Sequence, residues 1–389
     1  MRLKEMKVKT PFAVPFAFFL LTASVIGLIN LNSGSLIPIG ERAAVFSAAL
    51  IMPDGGFLLL EERFASELYP PDEESGGAFE SRPFPYGEAE LPKGAPLLSD
   101  EDYGIALNGG ASARLPRIPE KYRASIISED FSGHNGSNLI RFGAGFIKND
   151  TKNEDSDVAE ILETGFALRF EDIMEPQVLI IHTHATESFE RFDSDVYDTR
   201  NKWRSTDNNL NIVAVGSAIQ ETLENNGIGV LHDTTQHDYP SYNGSYERSA
   251  ETIRRHLEEY PSIKVVLDLH RDAMERDEQV LVKPIAEIGG KKAAQVMIVS
   301  GCDNGSMDMP NWRENLRFAA ALGDKALSMH PGLMRPVYLC HRKYNMDLTT
   351  GSLLLEFGSN ANTLDEAVYS ARLVAEALSE LIWENIKEA

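Results

Sequence analysis

Beyond Pro176 the chain alternates between short apolar runs and longer stretches whose apolar positions recur every three or four residues. VLII, IGVLHD, KVVLDLH, QVMIVSG, PVYLC and SLLLEFG are short, apolar almost throughout and bounded by Gly, Pro or polar residues, so they read as six buried strands. NNLNIVAVGSAIQETLENN sets Ile212, Val215, Ile219 and Leu223 on one helical face and stops at Gly227. SYERSAETIRRHLEEY and WRENLRFAAALGDKAL repeat the helical pattern. TLDEAVYSARLVAEALSELIWENI closes the chain as a helix, with Thr363 and Glu366 spaced for a capping box. Upstream, NLIRFGAGFIKN reads as a short strand or hairpin and SDVAEILETGF as a helix. Strands apolar throughout, separated by amphipathic helices, predict an α/β fold around a mostly parallel sheet covered on both faces.

The N-terminal pattern is different. Arg2, Lys4, Lys7 and Lys9 precede a stretch from Thr10 to Gly40 with no charged residue. That stretch is long enough for a single membrane span, which needs ~20 apolar residues, and the basic tail predicts a cytoplasmic N-terminus. A cleaved signal peptide competes with an anchor, because Thr22, Ala23 and Ser24 are small enough for a cleavage site. Both readings place Glu41 to Ala389 outside the cytoplasm. Residues 41–125 then mix Pro, Gly and acidic residues with few long apolar side chains, the composition of a membrane-proximal segment and flexible linker. The expected organisation is therefore 1–40 as tail and anchor, 41–125 as linker, and 126–389 as the folded domain.

Composition narrows the function. With 37 basic and 59 acidic side chains the net charge is -22, which argues against a nucleic-acid partner, since phosphate backbones call for a basic surface. Cys302 and Cys340 are the only cysteines, enough for one bridge or for two small core residues, and too few for a cysteine metal site.

In a parallel sheet, sites gather at the carboxyl ends of the strands. Three predicted strands end in reactive side chains. VLII runs into His182, His184 and Glu187; VVLDL into His270, Arg271 and Asp272; SLLL into Glu356 and the turn FGSNANT. Two imidazoles and a carboxylate suit a catalytic zinc with an open position, and a further carboxylate could take a proton from water. The three-residue spacing of His184 and Glu187 favours these two with His270 as the metal ligands. His182, two residues before His184, is left as an alternative ligand or a substrate contact. Glu356 is the candidate general base, or else an ion-pair partner of Arg271 or Arg335. Arg271 or a loop amide could steady an oxyanion. His232, His237 and His341, and the tyrosine-rich YPSYNGSY, are cleft or surface residues.

These motifs resemble a known family. VLIIHTHATES, RSTDNNLNIVAVGSAIQETLENNGIGVLHD, LDLHRDA and LLLEFGSNANTLDEA, in this order, are similar to the stage II sporulation protein P family, over roughly Phe146 to the C-terminus. The resemblance implies a three-layer α/β/α sandwich with a mostly parallel sheet of about six strands. It implies a zinc-dependent N-acetylmuramoyl-L-alanine amidase, cleaving peptidoglycan between muramic acid and L-alanine, with endopeptidase activity on stem-peptide crosslinks. Action in septal wall thinning and engulfment, and partners of the stage II D and M type, are implied as well. Carried onto this chain, the ligands are His184, Glu187 and His270, and the catalytic glutamate is Glu356. One departure concerns the ligand carboxylate: where the wider amidases place it, this chain has Asn208, Asn209 and Asn211, and Glu187 is the replacement. Two other readings compete: a barrel-type metal amidohydrolase, which needs a closed sheet, and a non-catalytic wall-binding scaffold.

Overall fold

The computed structural model describes residues 117–133, 139–276 and 279–387. In chain order the strands are β1 (Arg123–Glu129), β2 (Leu139–Phe142), β3 (Gly145–Asp150), β4 (Pro176–Ile181), β5 (Val196–Asp198), β6 (Gly229–His232), β7 (Val265–Asp272), β8 (Glu275–Arg276), β9 (Val280–Ile288), β10 (Lys291–Ala294), β11 (Val296–Gly301), β12 (Val337–Cys340) and β13 (Ser352–Ser359). The helices are α1 (Asp155–Glu163), α2 (Ile212–Asn225), α3 (Ser245–Glu259), α4 (Trp312–Met329) and α5 (Leu364–Trp383).

The strands form two sheets rather than one. An eight-stranded sheet runs β2-β3-β12-β11-β13-β7-β4-β6, and a smaller one runs β10-β9-β1-β5 with β8 beside β9. In the large sheet β6, β4, β7 and β13 are mutually parallel, β11 opposes β13, β12 and β3 run parallel to β11, and β2 closes a hairpin on β3. The expectation of one mostly parallel sheet of about six strands is thus corrected to two mixed sheets with helices layered around them. Among the described residues the path of the large sheet ends at β2 and β6 without closing, which speaks against the barrel alternative.

Strand parity divides the core. Val178, Ile180, Leu267 and Leu269 are fully buried in the main cluster with Leu162, Ile219, Leu316 and Leu378 of α1, α2, α4 and α5. Leu179, Ile181 and Val266 point the other way, into a cluster with Ile253 of α3. Each such burial stabilises the fold by about 1.5–3 kcal/mol. Asn211 caps α2 by accepting from the Val213 N–H (2.9 Å), and Thr363 and Glu366 close a capping box on α5. Cys302 and Cys340 are both buried free thiols on neighbouring chain segments, the Cys302 N–H donating to the Cys340 carbonyl (2.8 Å).

The anchor expected over 1–40, and the linker as far as residue 116, lie outside the described residues. Among the described residues no helix is long and apolar enough to cross a membrane. Even the 20-residue α5 carries Asp365, Glu366, Arg372, Glu376 and Glu380. The described residues thus supply no span for the expected single-pass transmembrane topology, and the segment on which that topology and the extracytoplasmic placement were read is not among them.

Candidate metal centre and adjoining cleft

β4 ends at Ile181, and the chain turns at once, the Glu187 N–H donating to the His184 carbonyl (3.0 Å). This turn separates the two histidines that a continuing strand would have aligned. His184 faces the α3 side, where its ring stacks on Tyr242 (4.6 Å) and meets Tyr246 edge-on (5.4 Å). His182 is buried beside His232, Nε2 to Nε2 at 2.8 Å. The approach requires Gly216 on α2: a Cβ there would lie 2.6 Å from His232 and 2.8 Å from His182.

Past the turn, residues 186–188 pair back against 203–205. Glu187 and Arg204 form an antiparallel bridge, the Ser188 N–H donates to the Trp203 carbonyl (2.9 Å) and the Ser205 N–H to that of Thr186 (2.8 Å). Glu187 is thereby held under the end of β7. Ligand atoms of His184, Glu187 and His270, all three buried, lie within 4.8 Å of one another. His184 Nδ1 is 3.6 Å from Glu187 Oε1, and His270 Nδ1 is 3.5 Å from Oε2. His270 Nε2 is turned to Asp268 Oδ1 (3.1 Å), and Asp268 is fixed in turn by the backbone N–H (2.8 Å) and hydroxyl (2.6 Å) of Thr183. A carboxylate behind a ligating imidazole sets its tautomer and raises its basicity.

The same neighbours set the electrostatics of the cluster. Burial alone would raise the Glu187 carboxyl, but His184, His270 and the charge of Arg271 hold it well below the usual carboxylate range. Burial would likewise lower His270, yet Asp268 and Glu187 hold it well above an ordinary imidazole. In register with His270 on the neighbouring strand stands Glu356. Burial, with the carboxylates of Asp272 and Glu187 against the opposing charge of His270, pushes it well above the usual range, and its Oε2 is buried without a hydrogen-bond partner. Neither arginine weighed as its partner bonds it: Arg335 donates to Asp272 (2.8 Å), and Arg271 turns its guanidinium to the carbonyls of Ser188 (2.8 Å), Trp203 (3.0 Å) and Asp272 (3.4 Å). Arg271 reaches the cluster through its backbone, whose N–H donates to Glu187 Oε2 (3.1 Å).

Two imidazole nitrogens and one carboxylate oxygen, buried together around a common point, are a donor set that zinc accepts with a fourth position to spare. The orphaned Glu356 oxygen lies near that set rather than in it. Asn208, Asn209 and Asn211 belong to the turn leading into α2. His237 braces the His182 carbonyl (2.8 Å) against Thr252 (3.0 Å), and His341 bridges Lys152 and Cys302 (both 3.2 Å).

Beside the cluster opens a cleft of about 790 Å³. The 186–206 segment forms much of its wall, and Asp238, Tyr239 and Tyr242 form another side. Arg204 stands where cleft and cluster meet. Its Nη1 donates to Asp238 (3.0 Å) and Thr186 (3.3 Å), its Nη2 approaches Glu187 Oε1 at 3.8 Å, and its charge lies 5.3 Å over the Tyr242 ring. Reading the sequence alone missed Asp268 and Arg204. Asp268 had a signal, since in LDLH it shares a strand face with His270. Arg204 had none, because only the fold-back of 203–205 brings it to Glu187.

The model of the family described as stage II sporulation protein P matches residues 125–379, well over half of the chain. The chain belongs to this family. A stage II sporulation protein P of Bacillus subtilis is 29% identical over 218 residues, covering 53% of this chain and 51% of that protein, so the chain spans about half the length of the curated relative it matches. Among solved structures, an N-acetylmuramoyl-L-alanine amidase of Nostoc punctiforme aligns over 54% of this chain and 96% of its own (12% identity, TM-score 0.31). One from Mycobacterium smegmatis aligns over 54% and 99% (10% identity, TM-score 0.32). Likenesses this weak establish neither fold nor activity.

Proposed function

We propose that this member of the stage II sporulation protein P family hydrolyses peptidoglycan at the amide between N-acetylmuramic acid and L-alanine, with a second, endopeptidase activity on stem-peptide crosslinks. The observation that carries this reading is the convergence of His184, Glu187 and His270 beside a buried, unpartnered Glu356 oxygen, next to a cleft large enough for a peptide. A zinc ion held by the three side chains would supply a Lewis acid for the amide carbonyl and for water.

The protein groups have separable tasks. Asp268 fixes the tautomer and direction of His270. Tyr242, stacked on His184, limits the rotation of that ring and shields it from solvent. Arg271 positions Glu187 and ties down the 188–203 segment from behind. Glu356, in register with His270 and with one carboxylate oxygen unbonded, is assigned to take a proton from the attacking water and pass it to the departing L-alanine nitrogen. Sporulation is the proposed setting, with wall thinning and engulfment as the task and proteins of the stage II D and M type as partners.

Exchanging Glu356 for Gln tests the assignment. The Glu356→Gln chain is expected to bind zinc at one equivalent while its hydrolysis of purified peptidoglycan falls at least about a hundredfold, the scale of one general acid–base group. Undiminished hydrolysis would remove Glu356 from the mechanism. A chain that binds wall and zinc but never hydrolyses it would favour the scaffold reading.

A further inference from the structure

The cleft has a charge pattern that the hydrolytic reading does not use. In a chain of net charge -22, its wall carries Arg191, Arg200, Lys202 and Arg204 from one short segment. The carboxylates on the same wall, Glu190, Asp238 and Asp365, offset them only in part. Asp238 is already bonded to Arg204, and burial pushes Glu190 up to about 7 even as Trp203 and Asn201 donate to it. Arg200 is itself committed to Asp198 by two bonds (2.9 and 2.6 Å). Arg204 differs from the other three in reaching the metal centre.

Its setting suits a receptor for a second carboxylate. Asp238 and Thr186 hold Nη1, and the Tyr242 ring supports the guanidinium face, so the side chain is oriented before any ligand arrives. A guanidinium has five N–H donors, and those of Nη1 account for two. Glu187 takes none of the rest at close range, its oxygen lying 3.8 Å from Nη2. With 28% of its side chain exposed, Arg204 is open to the cleft while its neighbour Glu187 is closed to it.

We propose that Arg204 is a specificity-determining residue that binds a carboxylate of an acidic peptide lying in the cleft, and so selects substrates whose peptide is charged close to the scissile amide. This rests on the hydrolytic reading above and names the peptide chemistry that the site takes. Arginine forks pair with carboxylates in two parallel bonds, and a charge-assisted contact of this kind is worth about 10- to 100-fold in affinity.

The test compares two substrates for the zinc-loaded full chain: soluble peptidoglycan fragments, and the same fragments with their carboxylates capped as amides. The wild-type chain is expected to favour the uncapped fragments by about 10- to 100-fold in kcat/KM. Arg204→Gln should bring that ratio close to one, and Arg204→Lys should restore part of it. The ratio is read because any general loss of metal or fold in a variant cancels from it. If Arg204→Gln is inactive, calorimetry of the two fragment sets against Glu356→Gln and against Glu356→Gln with Arg204→Gln gives the same ratio as a binding constant. A wild-type ratio near one, or a ratio that Arg204→Gln leaves unchanged, overturns the proposal. Hydrolysis of neither substrate by the wild-type chain overturns the hydrolytic reading and this inference with it.

Discussion

At the scale of single residues, the groups behind the ligands matter as much as the ligands. Asp268, buried and held by Thr183, lies 3.1 Å from His270 Nε2, and a metal site deprived of such a partner typically loses about 10- to 100-fold in affinity. Asp268→Asn should show that loss in a competition titration with a chelating dye, and an unchanged constant would reduce Asp268 to packing. Glu190 carries a different signal. Its folded pKa, raised to about 7 from an ordinary 4.5, means that the folded state holds the proton more tightly than the unfolded state. The stabilisation is complete below the unfolded value and is lost as pH rises through about 7, by up to about 3 kcal/mol. Denaturation midpoints of the wild type should therefore fall across that window, and Glu190→Gln, which still accepts from Trp203, should flatten the fall. A parallel pair of profiles would contradict it. His184, Glu187, His270 and Glu356 were legible in the sequence because each follows an apolar strand into polar residues. The role weighed for Arg271 was not, since nothing in HRDA tells whether the guanidinium points to the cleft or to the carbonyls behind it.

At the scale of elements, strand parity and strand ends sort the site. His270 and Glu356 share a register because β7 and β13 are parallel, whereas His182 and His184 part company because β4 stops at Ile181. The position of that stop is invisible in VLIIHTHATES, where two more extended residues would fit the pattern equally well. The second sheet was missed for a related reason. β9 reads VLVKPIAEI, and its buried Lys283, held by Asp193 (2.8 Å) and Glu366 (3.3 Å), together with Pro284, breaks the apolar run by which strands are recognised. Gly216 offers a test of packing at this scale. In Gly216→Ala, a helix-propensity gain of about 1 kcal/mol competes with a methyl thrust against the buried His182 and half-buried His232 imidazoles, an overpacking that costs about 1–3 kcal/mol. We expect the crowding to prevail and urea denaturation to show a net loss of about 1 kcal/mol. A stabilised variant would mean that the His182–His232 pair yields easily.

At the scale of the whole molecule, a strongly acidic chain surrounds a cleft with a basic wall, and the family to which it belongs extends over residues 125–379. The α/β class and the succession of the principal strands along the chain could be read from alternation alone; their order in the sheet could not. The antiparallel β11–β13 pairing, which makes the large sheet mixed, depends on long-range contacts that no local pattern encodes. The proposed metal-assisted cut at one amide draws on all three scales. The most direct measurement is mass spectrometry of the products that the full chain releases from purified peptidoglycan, first as zinc-loaded protein, then after chelation, then after zinc is returned. The account predicts peptides with a free L-alanine amino group in the first and third samples and none in the second; the absence of those peptides from the zinc-loaded sample, or their undiminished release after chelation, would contradict it.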